Sequence, residues 1–267
     1  HTSQMAGAAL YKSHVAEDKV LQRTNLAFDS ISALTRAKSK DIMEMLQEAL
    51  KYLSKAKQQL NNAKRRNSTL VKRLIQTEGE GLAKLLDTNP LVQKASKNVK
   101  HNEEIVVRAE TAVREAQSAL KLANRTDKEA LAAKGAQGLL KEVKTHGNAL
   151  LNKANEANIV ANQDDLVEAA LASKGDAGAA KKMYTQQTEA HEALRGAASS
   201  ALEYQPTVTS TREKTRAKEL KAFITADAEL DAEERAAIAL DKVRADFKEK
   251  QKQETFATDV VEKTKKE

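Results

Sequence analysis

The first helical pattern lies between Ile42 and Leu74, where seam residues are separated by three or four positions without a break. Its members are Ile42, Leu46, Ala49, Leu53, Ala56, Leu60, Ala63, Asn67, Leu70 and Leu74. A repeat of about 3.5 residues, with large and small side chains alternating, is typical of helices that pack knobs-into-holes. A less regular apolar face precedes it, so the pattern predicts a first helix from about residue 7 to about residue 86.

The stretch DTNP, at 87–90, contains the first proline of the chain. Asp, Thr and Asn are helix-capping residues, and proline is favoured in a first helical turn. The stretch therefore predicts a tight hairpin, after which a second helix returns antiparallel to the first. The seam of that helix is equally regular and consists of Val92, Ala95, Val99, Asn102, Val106, Ala109, Val113, Ala116, Leu120, Ala123, Asp127 and Ala130.

Three polar residues, Asn67, Asn102 and Asp127, interrupt these two seams. Buried polar residues at such positions can fix the register of a bundle at some cost in stability. The alternative is that the seam rotates locally and leaves these residues at its edge.

The second helix is expected to end near residue 161, since the glycine- and aspartate-containing stretch that follows breaks the long pattern. A small irregular head is predicted over about 161–183, and a third helix from Met183 to about residue 253. Pro206 is expected to break or kink that helix. Its predicted inner face consists of Phe223, Ala226, Leu230, Ala237, Leu240 and Phe247.

These segments predict an all-α protein, an elongated up-down-up three-helix bundle with the head between helices two and three. Three legs of similar length would form a rod about 100 Å long. The prediction places residues 1–255 in a single domain and 256–267 in a polar, flexible C-terminal tail. The alternative is three separate coiled-coil segments in an oligomer, which a local hairpin at DTNP disfavours.

Composition supports helices and narrows the chemistry. Aromatic residues make up only 3% of the chain. Cysteine is absent, so disulfides, thiol catalysis and cysteine-based zinc sites are excluded. The net charge is +7, but Lys and Arg alternate with Asp and Glu along most of the chain, as on a solvated helix face. No stretch approaches the roughly 20 apolar residues of a membrane span.

No catalytic constellation is found, so the chain is predicted not to be an enzyme and to need no metal or cofactor. A bundle whose seams are saturated within one chain is predicted to be a monomer. The histidines are scattered, none in a metal-binding motif, and are expected to be exposed: His1, His14, His101, His146 and His191. The GEG at 79–81 is no phosphate loop, because no strand precedes it and no GK[ST] follows it.

Aromatic residues concentrate near the predicted head: Tyr11, Phe28, Tyr184 and Tyr204. Exposed aromatics flanked by charge are typical interface anchors. A ligand-binding surface is therefore predicted on the first helix, formed by Tyr11, Lys12, Lys19, Arg23 and Phe28. The alternative is that the aromatics fill wider packing where the bundle opens into the head.

Two glycosylation sequons are present, NST at Asn67 and NRT at Asn124. Asn67 lies on the first seam, where a glycan could not fit. Asn124 lies beside its seam and is the better candidate.

The alanine-rich, cysteine-free sequence, including AHEALRGAASSAL at 190–202 and AAIALDKVRADFKEKQKQE at 236–254, resembles the elongated helical-bundle surface proteins of African trypanosomes. Two kinds of these surface proteins share the resemblance, the haptoglobin–haemoglobin receptor and the glutamic acid/alanine-rich coat protein. The resemblance covers about residues 10–255 and rests on architecture and composition. Some receptors of this type brace the head with a disulfide, which this chain lacks.

The receptor resemblance implies a glycoprotein at the cell surface, held by a C-terminal lipid (GPI) anchor outside this chain. Its ligand would be host haemoglobin, alone or with haptoglobin, taken up for its haem. The coat protein resemblance implies the same anchor without a ligand. A third hypothesis, from the residues alone, is a cytoplasmic helical scaffold; none of the three implies nucleic-acid binding.

Overall fold

The fold, obtained as a computed structural model, is described for residues 2–78, 88–175 and 177–264. Side chains are described from 19 to 252, except at 21, 77–87, 173, 176–177 and 180. The described residues form three helices and no strand, which confirms the all-α prediction. These helices are α1 (Thr2–Glu78), α2 (Pro90–Ser173) and α3 (Ala177–Thr264).

All three helices contribute to two compact units. Unit 1 comprises His1–Ser30 and Glu129–Ala222, and unit 2 comprises Ile31–Lys128 and Phe223–Glu267.

The start of α2, in unit 2, has the predicted cap. The side-chain oxygen of Asn89 accepts a hydrogen bond from the backbone N–H of Leu91 at 2.9 Å. The backbone carbonyl of Asn89 accepts one from the backbone N–H of Gln93 at 2.9 Å. Pro90 is the first residue of α2, where its missing N–H leaves no helical bond unmade. Asp87 and the predicted end of the first helix, near residue 86, lie outside the described residues.

In unit 2, α1 and α2 pack antiparallel through the two predicted seams. Every member of both seams is buried or half-buried. Ion pairs beside the seams show that the two helices are antiparallel, because the α2 partner has a lower residue number as the α1 partner has a higher one. These pairs are Arg36–Asp127 at 3.2 Å, Lys57–Glu110 at 3.1 Å and Lys64–Glu103 at 2.9 Å.

The helix α3 runs parallel to α1 in unit 2. Its side-chain contacts with α1 join residues 191 to 196 positions apart: Thr35–Glu229, Lys38–Glu233, Glu48–Arg244 and Gln59–Lys250. A nearly constant separation requires parallel helices. The up-down-up order is therefore present within this unit.

Two of the three polar seam residues have side-chain hydrogen-bond partners. Asn102 is buried, and its oxygen accepts a hydrogen bond from the Lys250 ammonium at 2.5 Å. Asp127 accepts hydrogen bonds from Ser32 at 2.5 Å and Arg36 at 3.2 Å. The side-chain oxygen of Asn67 is buried and has no partner. Asn102 is therefore buried within its seam, whereas Asn67 and Asp127 are half-buried.

The predicted inner face of α3 was wrong at two positions. Phe223 and Leu230 are 45% and 52% exposed. The buried stripe of this part of α3 is instead Thr225, Glu229, Ala232, Ala236, Leu240 and Val243. Alanines allow the closest approach to α1 and α2, so the face that carries them turns inward and larger side chains lie at the groove edge.

In unit 1, the irregular segment predicted over about 161–183 was wrong. The helix α2 continues to Ser173 and α3 begins at Ala177. Between them, the N–H groups of Lys174 and Gly175 donate to the carbonyls of Leu171 and Ala172 at 3.2 and 3.1 Å. Gly175 has φ +74°, a conformation that favours glycine, so it ends the helix without a longer loop.

The break predicted at Pro206 was also wrong, because α3 is continuous through it. Proline inside a helix costs roughly 3 kcal/mol. Packing on both sides opposes a break: Tyr204 lies edge-on against His146, with ring centroids 4.8 Å apart, and Val208 lies beside Gly147. These contacts hold the preceding and following residues against α2.

Replacement of Glu229 by leucine is expected to stabilise the protein by about 1 kcal/mol. The Glu229 side chain is 3% exposed, receives one hydrogen bond from Thr35 at 3.2 Å, and leaves its second oxygen without a partner. Urea unfolding measures the change. Glu234→Leu, at an exposed position of the same helix, is the control and should have little effect; a loss of stability in Glu229→Leu would contradict the prediction.

Replacement of Arg244 by leucine is expected to cost about 0.5–1 kcal/mol at pH 7, since the pair it forms is partly exposed. The Arg244 guanidinium donates to Glu48 at 2.9 Å and holds the pKa of Glu48 below its ordinary value of 4.5. A lowered pKa contributes stability above 4.5 that is lost as the pH falls through the folded value.

The difference between wild type and Arg244→Leu should therefore shrink between pH 5 and the acid limit of folding, as measured by urea unfolding across pH. Arg114→Leu, at an exposed position on α2, should show no such dependence. A difference that stays constant to the lowest pH would show that Glu48 is not the group involved.

Candidate functional site

Of the residues predicted to bind a ligand, those that the structure describes do not all lie on the surface. Lys19 and Arg23 are exposed on α1 in unit 1. Phe28 is only 1% exposed, so it belongs to the core and its assignment to a binding surface was wrong. Tyr11 and Lys12 lie outside the residues whose side chains are described.

The other aromatics of unit 1 divide in the same way. Tyr204 is half-buried and packs against His146. Phe28 and Tyr204 thus follow the packing alternative, in which a large ring fills space between helices. Tyr184 is 62% exposed and is the accessible one among the aromatic side chains of unit 1 that the structure describes.

Tyr184 is far from Lys19 and Arg23. The first helix pairs with α2 through Asp29–Lys134 at 2.6 Å, whereas the Tyr184 region of α3 pairs with α2 through Asp165–His191 at 3.1 Å. Lys134 and Asp165 are about 30 residues apart on one continuous helix, which corresponds to roughly 45 Å. The cations and the exposed tyrosine cannot therefore contact the same small ligand.

The best candidate site is the hairpin formed by residues 148–173 of α2 and 177–210 of α3, here called the α2–α3 hairpin. Among its described side chains, Ala161 is the one buried apolar residue. Seven large apolar side chains are instead 43–73% exposed: Leu151, Ile159, Val160, Leu166, Val167, Tyr184 and Leu202. A concentration of exposed large apolar side chains marks a candidate binding surface.

A polar cluster connects the two helices of the hairpin near Tyr184. The Asp165 carboxylate accepts a hydrogen bond from the Gln187 amide and lies 3.1 Å from the His191 ring. Gln187 first, and His191 second, hold the pKa of Asp165 below its usual range. Beside them is a shallow cavity of about 370 Å³, lined by Tyr184, Gln187, Thr188, His191, Glu192 and Arg195.

The geometry of this cluster suits binding. A His–carboxylate pair can activate a hydroxyl nucleophile only within hydrogen-bonding reach. The Thr188 hydroxyl, the nearest on the same helix, donates to the backbone carbonyl of Tyr184 at 2.8 Å. Tyr184 and Arg195 at the rim are of the residue types enriched in protein interfaces.

Within the described part of the chain, no group of three or more His, Asp or Glu side chains is arranged to hold a metal ion. A search of the same residues for helices long and apolar enough to cross a membrane found none.

The glycosylation candidates differ in accessibility. Asn124 is exposed on α2, whereas Asn67 is half-buried with its side-chain oxygen enclosed. Occupancy of Asn124 stays a prediction, and Asn67 could carry a glycan only if the seam opened.

Two apolar pairs on α2 are a sequence signal for the hairpin surface. Ile159–Val160 and Leu166–Val167 are apolar pairs seven residues apart on α2. Neighbouring residues of a helix point about 100° apart, so both members of a pair cannot face one partner helix. Repeated pairs of this kind indicate a helix with apolar surface beyond its buried seam.

Comparison of the chain with models of known protein families, with curated proteins and with solved structures found no match.

Substitutions at two glycines of α2 are expected to have opposite effects. A Cβ at Gly138 meets no atom within 4 Å, so Gly138→Ala should stabilise the helix by about 0.5–1 kcal/mol. A Cβ at Gly147 would lie 3.3 Å from Val208 and 3.5 Å from Tyr204. The valine side chain of Gly147→Val is larger still, so this variant should destabilise the protein by about 1–3 kcal/mol.

Thermal unfolding followed by circular dichroism compares the two glycine variants. Equal effects at the two positions would show that α2 and α3 do not approach closely at Gly147.

Proposed function

We propose that this chain is a non-catalytic cell-surface receptor that binds a host protein through the α2–α3 hairpin. The observation that carries the proposal is the reversal of burial in the hairpin, where seven large apolar side chains are exposed and one alanine is buried among the described residues. Full burial of a large apolar side chain contributes about 1.5–3 kcal/mol. Covering several of them would supply the core of a protein interface.

The polar groups of the hairpin support a protein ligand. Tyr184 presents a rigid ring, and Arg195 is exposed one helical turn beyond His191. Tyrosine and arginine dominate the energetics of many interfaces. The Asp165–Gln187–His191 cluster fixes the face of α3 that carries Tyr184, so little side-chain entropy would be lost on binding.

The ligand is proposed from the resemblance to trypanosome surface proteins. It is host haemoglobin, or haemoglobin with haptoglobin, bound for haem uptake. The same resemblance supports an elongated rod about 100 Å long, with the three helices in up-down-up order along it. A lipid anchor after the C-terminal end of the rod would place the protein at the cell surface.

Lys19 and Arg23 have a separate role in this proposal. They are exposed but lie roughly 40 Å along the helices from Tyr184. At that distance they contact only a large ligand, or they steer an acidic surface toward the receptor.

The proposal is tested by surface plasmon resonance of the chain over immobilised haemoglobin and haptoglobin–haemoglobin. Saturable binding is expected, and Leu166→Ala with Tyr184→Ala should weaken it about ten-fold or more. The matched control is Val107→Ala with Ile238→Ala, two large side chains exposed in unit 2, and it should bind as wild type. Charge reversal at Lys19 and Arg23 should mainly slow association.

Absence of binding at tens of micromolar would overturn the receptor proposal and favour a coat protein without a ligand. Equal loss in the Leu166/Tyr184 and Val107/Ile238 variants would show that the hairpin is not the site. Self-association of the chain, with loss in the hairpin variant alone, would favour a scaffold.

A further inference from the structure

Unit 2 contains two stretches in which positive charge is concentrated. Along the rest of the chain, Lys and Arg alternate with Asp and Glu. Residues 49–77 contain eight Lys and Arg and no Asp or Glu, and residues 88–102 contain three Lys and no acid. These eleven cations exceed the net charge of the whole chain, which is +7. The remainder of the chain is therefore net acidic.

The fold places the two basic stretches side by side. The Lys64–Glu103 ion pair, at 2.9 Å, joins α1 and α2 where they run antiparallel. Residues after Lys64 on α1 therefore lie alongside residues before Glu103 on α2. This brings six cations into one region, here called the basic surface: Arg65, Arg66, Lys72, Lys94, Lys97 and Lys100.

The charges of the basic surface are not compensated. All six side chains are exposed, and none makes an ion pair in the described structure. Their neighbours Lys57 and Lys64 are both paired, with Glu110 and Glu103. Six like charges without counter-charges raise the local potential and repel one another, and this repulsion is relieved when an anion binds.

A cleft runs through the basic surface. It has a volume of about 800 Å³, and its lining combines cations with small, apolar and amide side chains. Arg66, Lys94, Lys97, His101 and Lys250 line it, and no acidic residue does. Lys250 is held in place, because its ammonium donates to Gln59 at 2.8 Å and to Asn102 at 2.5 Å.

We propose that this cleft binds a sulfated polysaccharide chain. A flexible polymer with closely spaced sulfate groups can enter a cleft and meet cations on both sides, whereas a flat anionic bilayer would reach only the rim. Single-stranded nucleic acid would also enter, but its binding relies on aromatic side chains that stack on bases. The lining contains no Phe, Tyr or Trp. This site is independent of the proposed receptor function and lies in the other unit.

The test uses heparin oligosaccharides of defined length and isothermal titration calorimetry at several salt concentrations. The variant Arg66→Ala/Lys94→Ala/Lys97→Ala removes three cations that line the cleft. Its matched control, Arg114→Ala/Lys121→Ala/Lys128→Ala, removes one Arg and two Lys exposed along α2 of the same unit. Both variants lower the net charge equally, so a difference between them reports position.

Wild type is expected to bind heparin with an affinity that falls steeply with salt. The cleft variant should bind roughly ten-fold more weakly or worse, with the slope of log K against log[NaCl] reduced by about 2 to 3. The control should stay within about two-fold of wild type. Circular dichroism should show the same unfolding temperature for both variants, since all six side chains are exposed.

Three results would overturn the proposal: no binding of heparin at low salt, equal loss in the two variants, or undiminished binding of desulfated heparin. Tighter binding of oligothymidine or of phosphatidylserine vesicles than of heparin would also overturn it. Those outcomes would assign the basic surface to nucleic acid or to a membrane instead.

Discussion

The close approach of three helices through alanine is the constraint on which this structure depends. Eight alanines are buried between Ala109 and Ala136 of α2: Ala109, Ala112, Ala116, Ala119, Ala123, Ala130, Ala133 and Ala136. They alternate between two neighbouring faces of the helix, so α2 packs against α1 and α3 at once. Alanine loses no side-chain entropy on burial, but each contributes little apolar area. Stability therefore requires many such contacts, and hence long helices.

Close packing through alanine also explains the many polar contacts between the helices. When helices approach closely, the Cβ atoms of long side chains on neighbouring helices come near each other. Ion pairs therefore form along the groove edges, as between Lys57 and Glu110. It also allows short polar side chains into the seam, where Thr126 donates to the backbone carbonyl of Thr225 at 3.3 Å. Such contacts contribute little free energy individually, but they select one register among the similar alternatives that an alanine seam permits.

The candidate binding surfaces lie where this packing is incomplete. In the α2–α3 hairpin of unit 1, one alanine is buried and larger side chains such as Leu166 remain exposed. On the basic surface of unit 2, cations such as Lys94 lie in a cleft without carboxylate partners. The first surface offers apolar area and the second offers charge, so they fit ligands of different chemistry. Neither depends on a catalytic group.

Local sequence was sufficient for the all-helical class, the Asn89–Pro90 cap and the seams of α1 and α2, because a large apolar residue alternating with a small one marks its own inner face. Tertiary packing decided the rest. The inner face of α3 carries Thr225, Glu229 and alanines, which have too little hydrophobic contrast to reveal it. Phe28 is buried, and Pro206 stays helical, through contacts with other helices. The run of cations around Arg66 is visible in the sequence, but a cation becomes a binding group only where the fold leaves it unpaired.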